Sequence, residues 1–128
     1  MAWYLDTSAF LKLIVDEDES RALRAWYRAN NSIWSSQLLR TEALRARFKL
    51  GLTSERIQSV LSTVSLILPN ENTFFEAGMM KSTALRSLDA LHLATARELG
   101  GDLKGIVTYD LRLIEAASLL GIQIISPN

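Results

Sequence analysis

The sequence contains no cysteine, one histidine and two prolines in 128 residues. Without cysteine there are no disulfides, no thiolate metal ligands and no thiol nucleophile. The absence leaves the compartment open but fits a reducing cytosol. No apolar run approaches the roughly 20 residues needed to cross a bilayer. The opening Met1-Ala2-Trp3-Tyr4-Leu5-Asp6 also lacks the basic-then-apolar order of a secretory signal. A cytoplasmic protein with no membrane partner is the expectation. Net charge is missing too. Fourteen basic residues balance 14 acidic ones, so the whole chain exerts no general pull on nucleic acid. No repeat, linker or low-complexity segment divides it, and one domain over residues 1–128 is expected.

Hydrophobic residues make up 48% of the chain, enough for a full core without staples. The apolar run Ala2–Leu5 reads as a first strand. Helical spacing follows over Thr7–Val15 and again over Ser20–Asn30, the latter with Asp18 or Ser20 as cap. Ser32–Ser35 reads as a strand, and Gln37–Leu50 as a helix closed by Gly51. Next come a helix from Thr53 or Ser54 to about Thr63, a strand Ser65–Leu68 and a helix Thr73–Met80. Ser87 is placed to cap a helix Leu88–Leu99, which Gly100-Gly101 stops. A strand Gly105–Thr108, a helix Leu111–Leu120 and a strand Ile122–Ile125 complete the chain. Short strands that are apolar on both sides and alternate with helices predict an α/β fold with a covered parallel sheet. Ligands of such folds bind beyond the carboxyl ends of the strands.

Four carboxylates stand where these elements begin or end: Asp6, Glu42, Asp89 and Asp110. Each has a simple structural reading. Asp6 and Asp110 follow strands and precede helices, as caps do. Asp89 lies in a first helical turn, where a negative charge complements the dipole. Glu42 is three residues from Arg45, a surface-pair spacing. Yet Leu38, Leu39, Ala43 and Ala46 put Glu42 beside an apolar stripe. Taken together the four mean something else. Two like charges 4 Å apart repel by about 4 kcal/mol at an effective dielectric of 20. Clustered acids therefore shift their pKa values or splay unless a cation joins them. Oxygen-only ligation fits Mg²⁺ or Mn²⁺, whereas one histidine and no thiolate argue against zinc. With these four committed, 14 basic residues face 10 acidic ones, consistent with a phosphate-rich substrate.

The segments Leu5-Asp6-Thr7-Ser8-Ala9, Thr41-Glu42-Ala43, Leu88-Asp89-Ala90-Leu91-His92-Leu93-Ala94 and Val107-Thr108-Tyr109-Asp110-Leu111-Arg112-Leu113 occur in that order. Ala116-Ala117 and Leu120-Gly121 follow. Together they resemble the PIN-domain nucleases, and specifically the VapC-type toxins, over nearly the whole chain. The resemblance implies a three-layer sandwich, with a parallel five-stranded sheet flanked by about seven helices. It implies an endoribonuclease that uses Mg²⁺ or Mn²⁺ and acts on RNA. It further implies a homodimer silenced by a small antitoxin. Asp6, Glu42, Asp89 and Asp110 map to the acidic site. Thr7 and Thr108 match hydroxyl positions that orient water or ligands. Leu111 and Arg112 stand where some members carry a further acid after the fourth, which bears on a second metal ion.

The other polar residues admit two readings each. His92, one turn after Asp89, is a general acid or a packed core histidine. Arg86, three residues before Asp89, is an auxiliary group that binds phosphate or orients the acids, or else makes a plain surface salt bridge. Arg40, Arg45, Arg47 and Lys49 share a helix with Glu42, and Arg40 and Arg45 are candidate contacts to an RNA backbone. Arg21, Arg24 and Arg28 read as a solvated face, and Asp16-Glu17-Asp18-Glu19 as a charge run before a helix. Trp3, Trp26 and Trp34 read as core or interface residues. A receiver-type signalling domain would require an acidic pair after the first strand, where Thr7-Ser8-Ala9 stands. A catalytically silent partner-binding module is the other alternative.

Overall fold

The computed structural model describes residues 1–81 and 84–128. Among these, the chain forms β1 (Ala2–Leu5), α1 (Thr7–Ile14), α2 (Ser20–Ala29), β2 (Ile33–Ser36) and α3 (Leu38–Leu50). There follow α4 (Ser54–Leu61), β3 (Ser65–Ile67), α5 (Glu71–Gly78) and α6 (Ser87–Arg97). A 3₁₀ turn at Gly100–Asp102 leads to β4 (Leu103–Val107), α7 (Leu111–Leu119) and β5 (Ile124–Ile125). The strands make one sheet in the order β3-β2-β1-β4-β5, every pair parallel. This is the expected α/β architecture. No helix among the described residues is long and apolar enough to cross a membrane.

The pleat of β1 divides the core in two. Trp3 and Leu5 point into one cluster with Phe10, Leu23, Leu39 and Ile57 from the helices α1 to α4. Tyr4 points the other way, against Leu93, Ala96, Ile106 and Leu113. Alternate residues of one buried strand thus serve opposite faces, and helices cover both. The strand order also places the site. The chain winds outward from β1 through β2 to β3, then returns to β4 on the other side of β1. The crevice of a doubly wound sheet opens where this direction reverses. Here that is beyond the carboxyl ends of β1 and β4, where Leu5 pairs with Val107.

Close packing explains Gly105. A Cβ there would lie 2.7 Å from the Trp3 ring and 2.8 Å from the Gln123 carbonyl. Trp3 meets Trp26 edge-on at 5.5 Å, which accounts for both as core residues.

Several boundaries differ from the sequence reading, for local reasons. Helix α5 starts at Glu71 rather than Thr73, because Asn70 and Thr73 form a reciprocal capping box. Ser87 is the first residue of α6, not its cap; Arg86 holds the cap position without a side-chain bond. Neither Asp18 nor Ser20 caps α2. Glu19 occupies that place, and the Ser20 hydroxyl instead donates to the Val15 carbonyl at 2.7 Å. Strand β4 starts two residues early, and β5 is shorter than expected. Arg24 leaves its supposed solvated face. Its guanidinium donates to the Leu13 and Val15 carbonyls at 2.8 and 3.0 Å, satisfying the end of α1, and pairs with Asp16. The acidic run is also engaged, since Lys12 bridges Glu17 and Glu19.

Candidate active site

Asp6 leaves β1 and caps α1, accepting the Ala9 backbone N–H at 2.9 Å. It is buried, with 4% of its surface exposed. Ser8 donates to both carboxylate oxygens, at 2.8 and 3.0 Å, and Thr108 donates to Oδ2 at 2.6 Å. Burial raises the Asp6 carboxyl above its usual range, and the bonds from Thr108, Ala9 and Ser8 oppose that rise. The cap and the cluster are therefore not rival readings: capping α1 is what clamps this carboxylate at the end of β1.

Thr108 follows β4 and joins two of the acids. Its hydroxyl donates to Asp6 and accepts the Asp110 backbone N–H at 3.0 Å. Asp110 caps α7 through the Arg112 N–H at 2.9 Å. Ser8, which the sequence reading passed over, also accepts the Tyr109 N–H at 3.1 Å. Its spacing two residues after Asp6 is the available signal, since a short hydroxyl side chain there reaches back to the cap.

Glu42 comes from α3 and does not pair with Arg45. Its Oε1 accepts the Thr7 hydroxyl at 2.8 Å and lies 2.6 Å from His92 Nε2. Burial works to raise this carboxyl. The bond and charge of His92, with the Thr7 hydroxyl, outweigh it and hold Glu42 below its usual range. His92 is itself buried, and its Nδ1 lies 2.6 Å from the Tyr4 hydroxyl. The packed, hydrogen-bonded reading of His92 is the one observed. Tyr4 was legible only as a core residue, because the strand pattern gives its face and not its partner.

Asp89 lies on α6, three residues before His92 and on the same face. Half-buried, its carboxyl is raised by burial and then by the charge of Asp110, with a smaller push from Glu42. The Arg86 backbone and His92 work against that rise. Asp89 thus feels Asp110 and Glu42, while Asp6 is tied to Asp110 through the Thr108 hydroxyl. Arg86, Arg40 and Arg45 are exposed. Among the described residues none of the three is in a salt bridge, and Arg40 bonds Gln37 at 3.2 Å.

The donors are oxygens of hard carboxylates, suited to a hard divalent cation. Burial penalises the ionised forms of Asp6 and Asp89, and like charge adds to it at Asp89, a penalty that a cation would relieve. In this conformation no three His, Asp or Glu side chains among the described residues stand close enough to enclose an ion.

A family model described as "PIN domain" matches residues 3–119. The chain belongs to the PIN-domain family, and within it stands with the VapC proteins. It is 41% identical over 128 residues to "Ribonuclease VapC46" of Mycobacterium tuberculosis, covering 99% of this chain and 98% of that protein. With "Ribonuclease VapC47" of the same species it shares 35% over 131 residues, covering 98% and 96%. Among solved structures, M. tuberculosis VapC20, titled a sarcin-ricin loop cleaving toxin, superposes with a TM-score of 0.75 at 13% identity. That match covers 98% of this chain and all of the other. A toxin–antitoxin complex from Klebsiella pneumoniae gives 0.74 at 20% identity, covering 100% and 98%. At these identities the two structures attest the shared fold.

Proposed function

We propose that this chain is an endoribonuclease toxin, which hydrolyses RNA phosphodiester bonds and arrests growth or translation until a cognate antitoxin neutralises it. The observation that carries the reading is that Asp6 and Asp110, at the carboxyl ends of β1 and β4, share the Thr108 hydroxyl, while Asp89 feels the charges of Asp110 and Glu42. It gains weight from the full-length likeness to proteins named ribonuclease VapC. Asp6, Asp89, Asp110 and Glu42 are the residues that would hold Mg²⁺ or Mn²⁺. Bound there, the cation would neutralise charge on the phosphate and make water a better nucleophile. The chain's own residues supply position. Ser8, Thr108 and the Ala9 amide fix Asp6, while Thr7 and His92 fix Glu42. Arg40, Arg45 and Arg86 are assigned to the RNA backbone. A small antitoxin is the assigned protein partner, a homodimer the assigned assembly and the cytoplasm the assigned compartment.

Asp6→Asn and Asp89→Asn test the assignment. Each is expected to abolish metal-dependent cleavage of RNA in vitro and to relieve growth arrest on expression. Mapping of cleavage ends in total cellular RNA, wild type against Asp6→Asn, identifies the target. Full activity of purified, folded Asp89→Asn protein would sink the reading.

A further inference from the structure

We infer that Tyr4 and His92 are positioning residues for Glu42. They form a buried relay that ties up one carboxylate oxygen and leaves the other to serve the site. This rests on the nuclease reading above. The geometry is directional. A carboxylate only accepts hydrogen bonds, so His92 Nε2, 2.6 Å from Glu42 Oε1, must carry the hydrogen between them. Tyr4, 2.6 Å from Nδ1, holds the other ring nitrogen, donating its O–H to a neutral ring or accepting the hydrogen of a charged one. The hydroxyls beside Tyr4 cannot replace it as donors to His92. Ser35 gives its hydrogen to the Leu5 carbonyl at 2.6 Å, and Thr95 gives its own to the Leu91 carbonyl at 2.6 Å.

The relay is rigid at its inner end. Tyr4 is fully buried in the middle strand of the sheet, and His92 is 3% exposed. With both ring nitrogens held, the imidazole plane is fixed, and Oε1 of Glu42 with it. Thr7 adds a second hydrogen bond to that same oxygen at 2.8 Å. Oε1 is therefore saturated by protein donors. Oε2 is the oxygen available outward, so Glu42 acts through one oxygen and not as a bidentate group. A surface glutamate on a helix would sample several rotamers; this one is held in place by β1 and α6 together. Such support around a functional carboxylate sets how well it performs.

His92 is the chain's single histidine, so selective ¹⁵N labelling of histidine gives one ring with no overlap. In metal-free wild-type protein, the expected signal is a hydrogen on Nε2 that is slow to exchange with solvent. Tyr4→Phe should keep the fold and markedly quicken that exchange. In cleavage assays, Tyr4→Phe and His92→Leu are expected to lower kcat by roughly 10- to 100-fold with KM little changed, as loss of an outer supporting partner does. His92→Gln, whose amide can donate from a similar position, should recover part of that loss. A ring bearing its hydrogen on Nδ1 instead, or a Tyr4→Phe protein with unaltered kcat and unaltered exchange, would overturn the relay. If the folded wild type cleaves no RNA, the nuclease reading fails separately, and the relay is then decided by the ring signal alone.

Discussion

Thr108→Val keeps the side-chain shape but removes the hydroxyl that donates to the buried Asp6 carboxylate and accepts the Asp110 N–H, and the part of its cost that falls on Asp6 should depend on pH. Asp6 has a raised pKa, from the ordinary 3.8 upward. The folded chain therefore holds this proton more tightly than the unfolded chain does. Stability linked to Asp6 is greatest below the ordinary value, and it falls as pH rises through the window from 3.8 to the raised value. The Thr108 hydroxyl limits that fall, because it donates to Asp6 Oδ2 at 2.6 Å and favours the charged form. Removing it moves the Asp6 pKa further up. At acid pH, with Asp6 protonated, the lost bond is a neutral one and costs about 1 kcal/mol. At neutral pH it is a bond to a charge, and the cost rises to about 2–3 kcal/mol. For a chain of this size that is a melting-temperature drop of roughly 8–11 °C near neutrality. The measurement is urea unfolding of wild type and Thr108→Val across the acid-to-neutral range, in chelator to keep cations out. The difference in stability should open as pH rises and then level off. A difference that stays constant with pH, or narrows as pH rises, would refute the account of Asp6 as a buried, hydroxyl-supported carboxylate.

Other outcomes follow from the same geometry. Gly105→Ala is expected to destabilise the fold by about 1–3 kcal/mol, since its methyl group meets the Trp3 ring and the Gln123 carbonyl; calorimetry against wild type reads this. Asn70→Ala removes the capping box of α5 and should cost about 0.5–2 kcal/mol in denaturant midpoint analysis. Millimolar Mn²⁺ should raise the melting temperature of wild type, approaching about 2.7 kcal/mol of stabilisation at a hundred times Kd. That shift should shrink in Asp89→Asn, and a melting curve indifferent to both Mn²⁺ and chelator would count against a cation site.

The sheet was legible because its strands are short apolar runs whose flanking residues are strong punctuation. Gly51, at a φ of 68°, closes α3 as read. Boundaries failed where a side chain and a backbone group made a private arrangement. Thr73 resembles a helix cap in isolation, but its partnership with Asn70 places it one turn inside. Arg24 resembles a solvated charge, but the unsatisfied carbonyls of Leu13 and Val15 attract it. At the site, Asp6, Asp89 and Asp110 were visible through their motifs and their places at helix starts, and Glu42 through its motif alone. Their supports were not. Tyr4 and His92 are 88 residues apart, and no local pattern says that a strand tyrosine on one face meets a helical histidine. Glu42 was half-read, since its apolar neighbours betrayed the buried border but not the imidazole beyond it.

The parallel sheet has a consequence in time. Its first strand lies at the centre, and the bond from Thr108 to Asp6 joins residues 102 positions apart. At about 5–20 residues per second, synthesis separates those partners by roughly 5–20 s. During that interval β1 has β2 on one side and nothing on the other, and Asp6 has neither Thr108 nor Asp110 beside it. A nascent chain therefore carries Asp6 without its Thr108 partner while it is still attached to the ribosome. Asp6 gains its distant hydroxyl partner only once Thr108 has been made.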